Sequence, residues 1–125
     1  MAAREVLSLT QCREVTLVHW RVFDVPFYGE GRPWTRHLAG WSWEEQQGCV
    51  SLPIRSFDPL SGQFETFSGR LFRLVGRPGL NGAAIFVWAA WKALSGVFEE
   101  RDVTDEVVAA MDEVGVQLRE FIRRE

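Results

Sequence analysis

Gly82-Ala83-Ala84-Ile85-Phe86-Val87-Trp88-Ala89-Ala90-Trp91-Lys92-Ala93-Leu94 carries no polar side chain except Lys92. A helix that is apolar around most of its circumference belongs in a core or an interface. The run falls well short of the roughly 18 apolar residues that a bilayer span requires. It therefore predicts a buried central helix in a water-soluble domain, with Trp88 and Trp91 one turn apart on the side that meets a sheet. Asn81 is suited to cap its first turn, and the preceding Gly76 and Gly79 read as turn residues.

Downstream, Val97 to Val103 alternates weakly and suggests a short outer strand. Thr104 is then read as the cap of a second helix, with Asp105 and Glu106 at its positive end and Arg119, Arg123 and Arg124 toward its negative end. Val107, Met111, Val114, Leu118, Phe121 and Ile122 recur at helical spacing and form one apolar stripe opposite Asp112, Glu113, Arg119 and Glu120. Gly115 lies at its edge and permits a close contact.

Upstream, the pattern changes to that of strands. Glu14 to Val25 is apolar on both alternating sets, as for a strand covered on both faces, and His19 within it reads as a hydrogen-bonded core or interface residue. Pro26 to Pro33 is a loop. Thr35 to Glu44 forms a second strand with Trp41 and Trp43 on one face, and Gln46-Gln47-Gly48 a turn. Cys49 to Phe57 returns as a third strand, in which Pro53 marks an edge or a bulge. Asp58-Pro59-Leu60-Ser61-Gly62 turns the chain into Gln63 to Val75, either one long strand kinked at Ser68-Gly69, the preferred reading, or two strands hinged there. Glu5 to Gln11 is either a short helix or the lead-in to the first strand. Strands followed by helices give an α+β domain over residues 1–125: an antiparallel sheet of about five strands, with the central helix and the C-terminal helix packed on one face.

The bulk numbers exclude several classes. A chain of 125 residues can bury a core without staples, and its apolar and charged fractions, 46% and 25%, exclude disorder and membrane readings. The net charge of −3 conceals an asymmetry: ten basic and eight acidic residues precede Gly96, and four basic and nine acidic follow. No concentrated basic face of the kind nucleic acids need is visible. The N-terminus lacks an apolar run of signal-peptide length, which implies a cytoplasmic protein. Cys12 and Cys49 are too few and too far apart for a metal knuckle and read as free thiols. Neither a metal site nor a cofactor motif is implied.

The polar segment richest in chemistry is Tyr28 to Trp41. Arg32 and Arg36 could clamp an anion, Trp34 could stack on a planar ligand, and His37 could act as acid or base with Glu30 or Asp24 orienting it. The alternative is a loop and strand start whose arginines are solvated or paired and whose indole caps the core.

Three segments together resemble short uncharacterised bacterial proteins of the kind carried on integron gene cassettes. They are Gly31 to Leu38 with Gly40, Phe57-Asp58-Pro59 with Ser61-Gly62, and Ser68 to Gly76 with Pro78-Gly79. The resemblance implies a small, often homo-oligomeric protein, sometimes with a small-molecule pocket, and carries over no catalytic residue. The expected function is a homo-oligomeric binding or interaction module with an aromatic-lined site at Arg32, Trp34, Arg36 and His37. The competing expectation is a small acid-base enzyme using His37 with an Arg32/Arg36 anion clamp. A second copy is expected because a sheet with both helices on one face would leave some of Trp20, Trp41, Trp43, Phe64 and Phe72 in water.

Overall fold

β-Branched and aromatic residues hold the chain extended from Glu14 to Val25 (β1), the longest strand and the one to which the rest of the sheet is joined. The computed structural model describes residues 14–124, with the side chains of Phe121, Arg123 and Arg124 excepted. The reading of Glu5 to Gln11 and the thiol of Cys12 lie outside them. After β1 come β2 (Thr35–Ser42), β3 (Gln47–Val50), β4 (Ile54–Asp58), β5 (Gln63–Thr66), β6 (Leu71–Leu74), helix α1 (Gly82–Leu94), β7 (Arg101–Asp102) and helix α2 (Thr104–Arg124).

The sheet order is β3-β2-β1-β6-β5-β4, with β7 also paired to β1. All pairs are antiparallel except β1 with β6, which is parallel. The sheet is therefore mixed and has more than the five strands expected. Two of the expected strands are each divided. Cys49 to Phe57 is broken at Ser51–Pro53 into β3 and β4, and Gln63 to Val75 doubles back between Thr66 and Leu71 into the β5–β6 hairpin. Gly69 is at φ +89°, a turn conformation that a kinked continuous strand would not need.

Connectivity then forces curvature. Val50 and Ile54 are four Cα steps apart and can be separated by at most about 15 Å. In a flat sheet of this order β3 and β4 would be five strand spacings apart, about 24 Å. The sheet must curl until its two edges meet. Ser51 N–H donates to Leu38 O at 2.8 Å and Phe67 N–H to Pro53 O at 3.1 Å, joining the break to both sides. The proline at this corner has no ladder bond to lose.

The inside of the curl collects side chains from all six of these strands: Val15, Leu17, Trp20, Val22, Leu38, Cys49, Ile54, Phe57, Phe64, Phe72 and Leu74. Val107, Val108 and Met111 of α2 pack on this cluster. A second cluster lies on the other face, where Phe23, Val25, Ala39 and Val50 meet Trp88 and Trp91 of α1. The helices thus occupy opposite faces of the sheet, not one. β1 is apolar on both alternating sets because it separates these two cores.

A bulge in β1 sets which residues face which core. Val18 pairs with Trp41 and Arg21 with Ala39, so β1 holds one residue more than β2 over this interval. His19 takes φ 48°, and the interior parity passes from Val15 and Leu17 to Trp20 and Val22. His19 itself is exposed, so of the two expected places, core or interface, it is not in the core. Gly40 sits opposite the bulge, where an added Cβ would lie 3.1 Å from the Trp20 Cα.

α1 begins as expected, with Asn81 Oδ1 accepting from the Ala84 N–H at 2.9 Å. Thr104 does not cap α2 with its hydroxyl. Its Oγ1 accepts the Val22 N–H at 3.0 Å, tying the helix to β1 where β6 no longer pairs, and Asp102 Oδ1 accepts the Thr104 N–H at 2.9 Å.

Candidate functional site

Side chains alternate sides along a strand, and β2 begins at Thr35, so Arg36 and His37 must point to opposite faces. Arg36 lies on the α2 side. Its Nε and Nη2 donate to the two Asp24 oxygens at 2.8 and 3.0 Å, and Nη2 is 3.8 Å from Glu106 at the start of α2. The Asp24 carboxylate, hydrogen-bonded to the guanidinium, raises the Arg36 pKa further despite partial burial. Trp34 is 39% exposed, and the Arg101 guanidinium sits 5.0 Å from its ring centre. Arg21 pairs with Asp102 at 2.8 Å nearby on β1 and β7. On the Arg36 face, Arg36 and Arg101 are matched in number by Asp24 and Glu106, so it offers an incoming anion no surplus of positive charge.

His37 lies on the α1 side and is fully buried. Its ring packs against Trp91 at 4.6 Å and Phe27 at 5.7 Å between centroids. Nδ1 lies 2.9 Å from the Ser51 carbonyl and must donate to it, so in the neutral ring Nε2 accepts from the Thr35 hydroxyl at 2.6 Å. Burial lowers the His37 pKa below its ordinary value, against the opposing pull of the Ser51 carbonyl and Asp24. Both ring nitrogens are committed. Arg32 is exposed in the turn before β2. Of the four expected site residues, the structure brings Trp34 and Arg36 to one face, places His37 on the other and leaves Arg32 in the loop. Strand periodicity was the signal that separates Arg36 from His37; Asp24, expected to orient His37, accepts from Arg36 instead, and Arg101 and Glu106, distant in sequence, had no signal.

A depression of about 40 Å³ lies at the opposite end of β1, lined by Glu14, Val15, Thr16, Gln63, Leu71 and Arg73. It has room for a few waters and is far below the size of a metabolite site.

The surface feature that stands out is α1 itself. Its inner side is fixed: Trp88 stacks on Phe23 at 4.5 Å and on Trp91 at 5.3 Å, and its Nε1 donates to Glu100 at 3.1 Å. Gly48 of β3 lets the helix backbone approach, since a Cβ there would lie 2.7 Å from the Ala83 carbonyl oxygen. Only Ala84 and Trp88 are buried, so the helix is not enclosed as its composition suggested. A lone helix on the outside of a curled sheet has one side to pack and one to show. The side shown carries Ile85, Phe86, Ala89, Ala93 and Leu94, and Phe98 follows just after the helix. Phe86, Leu94 and Phe98 are 74%, 86% and 89% exposed.

Among the described residues no group of three or more His, Cys, Asp or Glu is placed to hold a metal ion, and no helix is long and apolar enough to cross a membrane. Comparison of the chain with protein-family models, with curated proteins and with solved structures finds no match in any of the three.

Proposed function

We propose that the protein is a small homo-oligomeric interaction module that associates through the exposed face of α1. The observation that carries this reading is the uncharged surface of Ile85, Phe86, Ala89, Ala93 and Leu94, prolonged by Phe98. Single exposed apolar residues need no explanation, whereas a contiguous patch free of charge is characteristic of a contact surface. Both faces of the sheet are covered by the chain's own helices. The surface that needs a partner is therefore on a helix and not on the sheet. The resemblance to integron-cassette proteins, which are often homo-oligomeric, points the same way.

The acid-base alternative gains no support from the geometry. His37 is sealed beneath Trp91 with both nitrogens bonded, and Arg36 is neutralised by Asp24 on the opposite face. An anionic ligand at Trp34 and Arg36 would have to displace that carboxylate. Light scattering on the wild type and on Phe86→Glu tests the proposal. The wild type should have twice the mass of one 14.3 kDa chain and the variant the mass of one, with unchanged circular dichroism. A wild type of single-chain mass, or a variant that still associates, contradicts it.

A further inference from the structure

Resting on that reading, we infer that two copies pair with their α1 helices antiparallel about a two-fold axis near Ala89, so that large residues of each apolar face meet small residues of the other. A two-fold interface must be complementary to itself. This face is. Its exposed positions along α1 are Gly82 and Ala83, then Ile85 and Phe86, then Ala89 and Ala93, then Leu94, so small and large residues follow one another in blocks. Turning one copy end for end about Ala89 sets Ile85 against the partner's Ala93 and Leu94 against the small first turn, Gly82 to Ala84, of the other helix. Ridges then find grooves and the helices approach closely. A parallel pair would oppose Ile85 to Ile85 and Phe86 to Phe86 and leave a gap where alanine met alanine.

Electrostatics select the same direction. The first turn of α1 contains no acidic residue, and its cap, Asn81, is neutral, so its positive dipole end favours an incoming carboxylate. Past its C-terminal end, Glu100 is taken up by Lys92 and the Trp88 Nε1, while Glu99 is exposed. Antiparallel pairing carries each Glu99 toward the N-terminal end of the other helix, where Arg77 is also exposed. The area suffices. Two exposed phenylalanines at roughly 150 Å² or more each, with Ile85, Leu94 and the alanines, give about 600 Å² per copy, the lower end of the range for a stable interface.

The test is disulfide trapping in the full chain with Cys12→Ser as background and Cys49 left in its buried position. Ala89→Cys should form a covalent dimer readily. An equimolar mixture of Ile85→Cys and Ala93→Cys chains should give mixed dimers in several-fold excess over either self-linked dimer. Efficient self-linking of Ile85→Cys with few mixed dimers would show a parallel pair and overturn the inference while leaving association through α1 intact. Trapping at none of the three positions, in a wild type that light scattering shows to be dimeric, would move the interface off α1 and overturn both. For each variant, light scattering before oxidation shows whether the chain still associates.

Discussion

The two helices flank the same sheet but are held in different ways. α1 is fixed along its whole inner side, by the Gly48 contact at its first turn and by the stacked Phe23, Trp88 and Trp91, and it exposes a face without charge. α2 is anchored at one end, by the Thr104 hydroxyl and by Val107, Val108 and Met111. Farther along it exposes Val116, Leu118 and Ile122 among Gln117, Arg119 and Glu120. Apolar groups interspersed with charge suit a solvated helix, whereas an uncharged apolar face on a rigidly held helix suits a contact surface. Where charges are absent is thus more informative than how apolar a helix is overall.

The contrast between the two helices depends most heavily on Trp88. Trp88→Ala removes the ring that joins α1 to Phe23 and should cost about 3–5 kcal/mol in chemical denaturation. A loss below about 1 kcal/mol would mean that α1 is not held along its inner side. Gly48→Ala should follow, at about 1–3 kcal/mol, because the new Cβ meets backbone at Ala83 and only a shift of the helix relieves it. If Gly48→Ala is neutral, the close approach of α1 to β3 is wrong.

The architecture was legible in the sequence where one local rule decided the outcome. The double apolar pattern of β1, the Asp58–Gly62 turn, the Asn81 cap and the Trp88–Trp91 pair are such cases. Legibility failed where a distant contact decided. Nothing near Cys49 to Phe57 says that the sheet must close on itself, and the break at Ser51–Pro53 follows from that closure. The helix assignment to one face failed because the bulge at His19, itself exposed, changes the parity of β1 and gives each side its own core. At the expected site, the Gly- and Pro-punctuated clustering drew together residues that strand alternation separates.

A smaller effect is expected from pH, through the histidine beneath α1. His37 is neutral in the fold with its pKa lowered by burial, while in the unfolded chain it titrates near 6.5. The unfolded state therefore binds the extra proton first. Stability is complete above about pH 6.5 and should fall as the pH drops below it, by at most about 1.4 kcal/mol per pH unit for one proton. Glu44 and Asp102 also have lowered values. In each, burial is outweighed, by Thr16 for Glu44 and by Thr104 and Arg21 for Asp102, so their losses begin only below about 4.5 and 3.8. His37→Gln should abolish the slope between pH 6.5 and 5, and an undiminished slope would place its origin elsewhere. The smallest effect belongs to α2: Leu118→Ser should change stability by less than about 0.5 kcal/mol and leave association untouched. A larger loss of either would give α2 a partner and remove the contrast between the helices.

Sedimentation equilibrium of the wild-type chain, run beside Phe86→Glu from below to well above micromolar concentration, decides whether two copies meet through α1. The wild type should approach twice 14.3 kDa as concentration rises while Phe86→Glu holds the mass of one chain throughout. A wild type that stays at one chain across the range, or a variant that associates as the wild type does, would contradict the assignment of α1 as the contact surface.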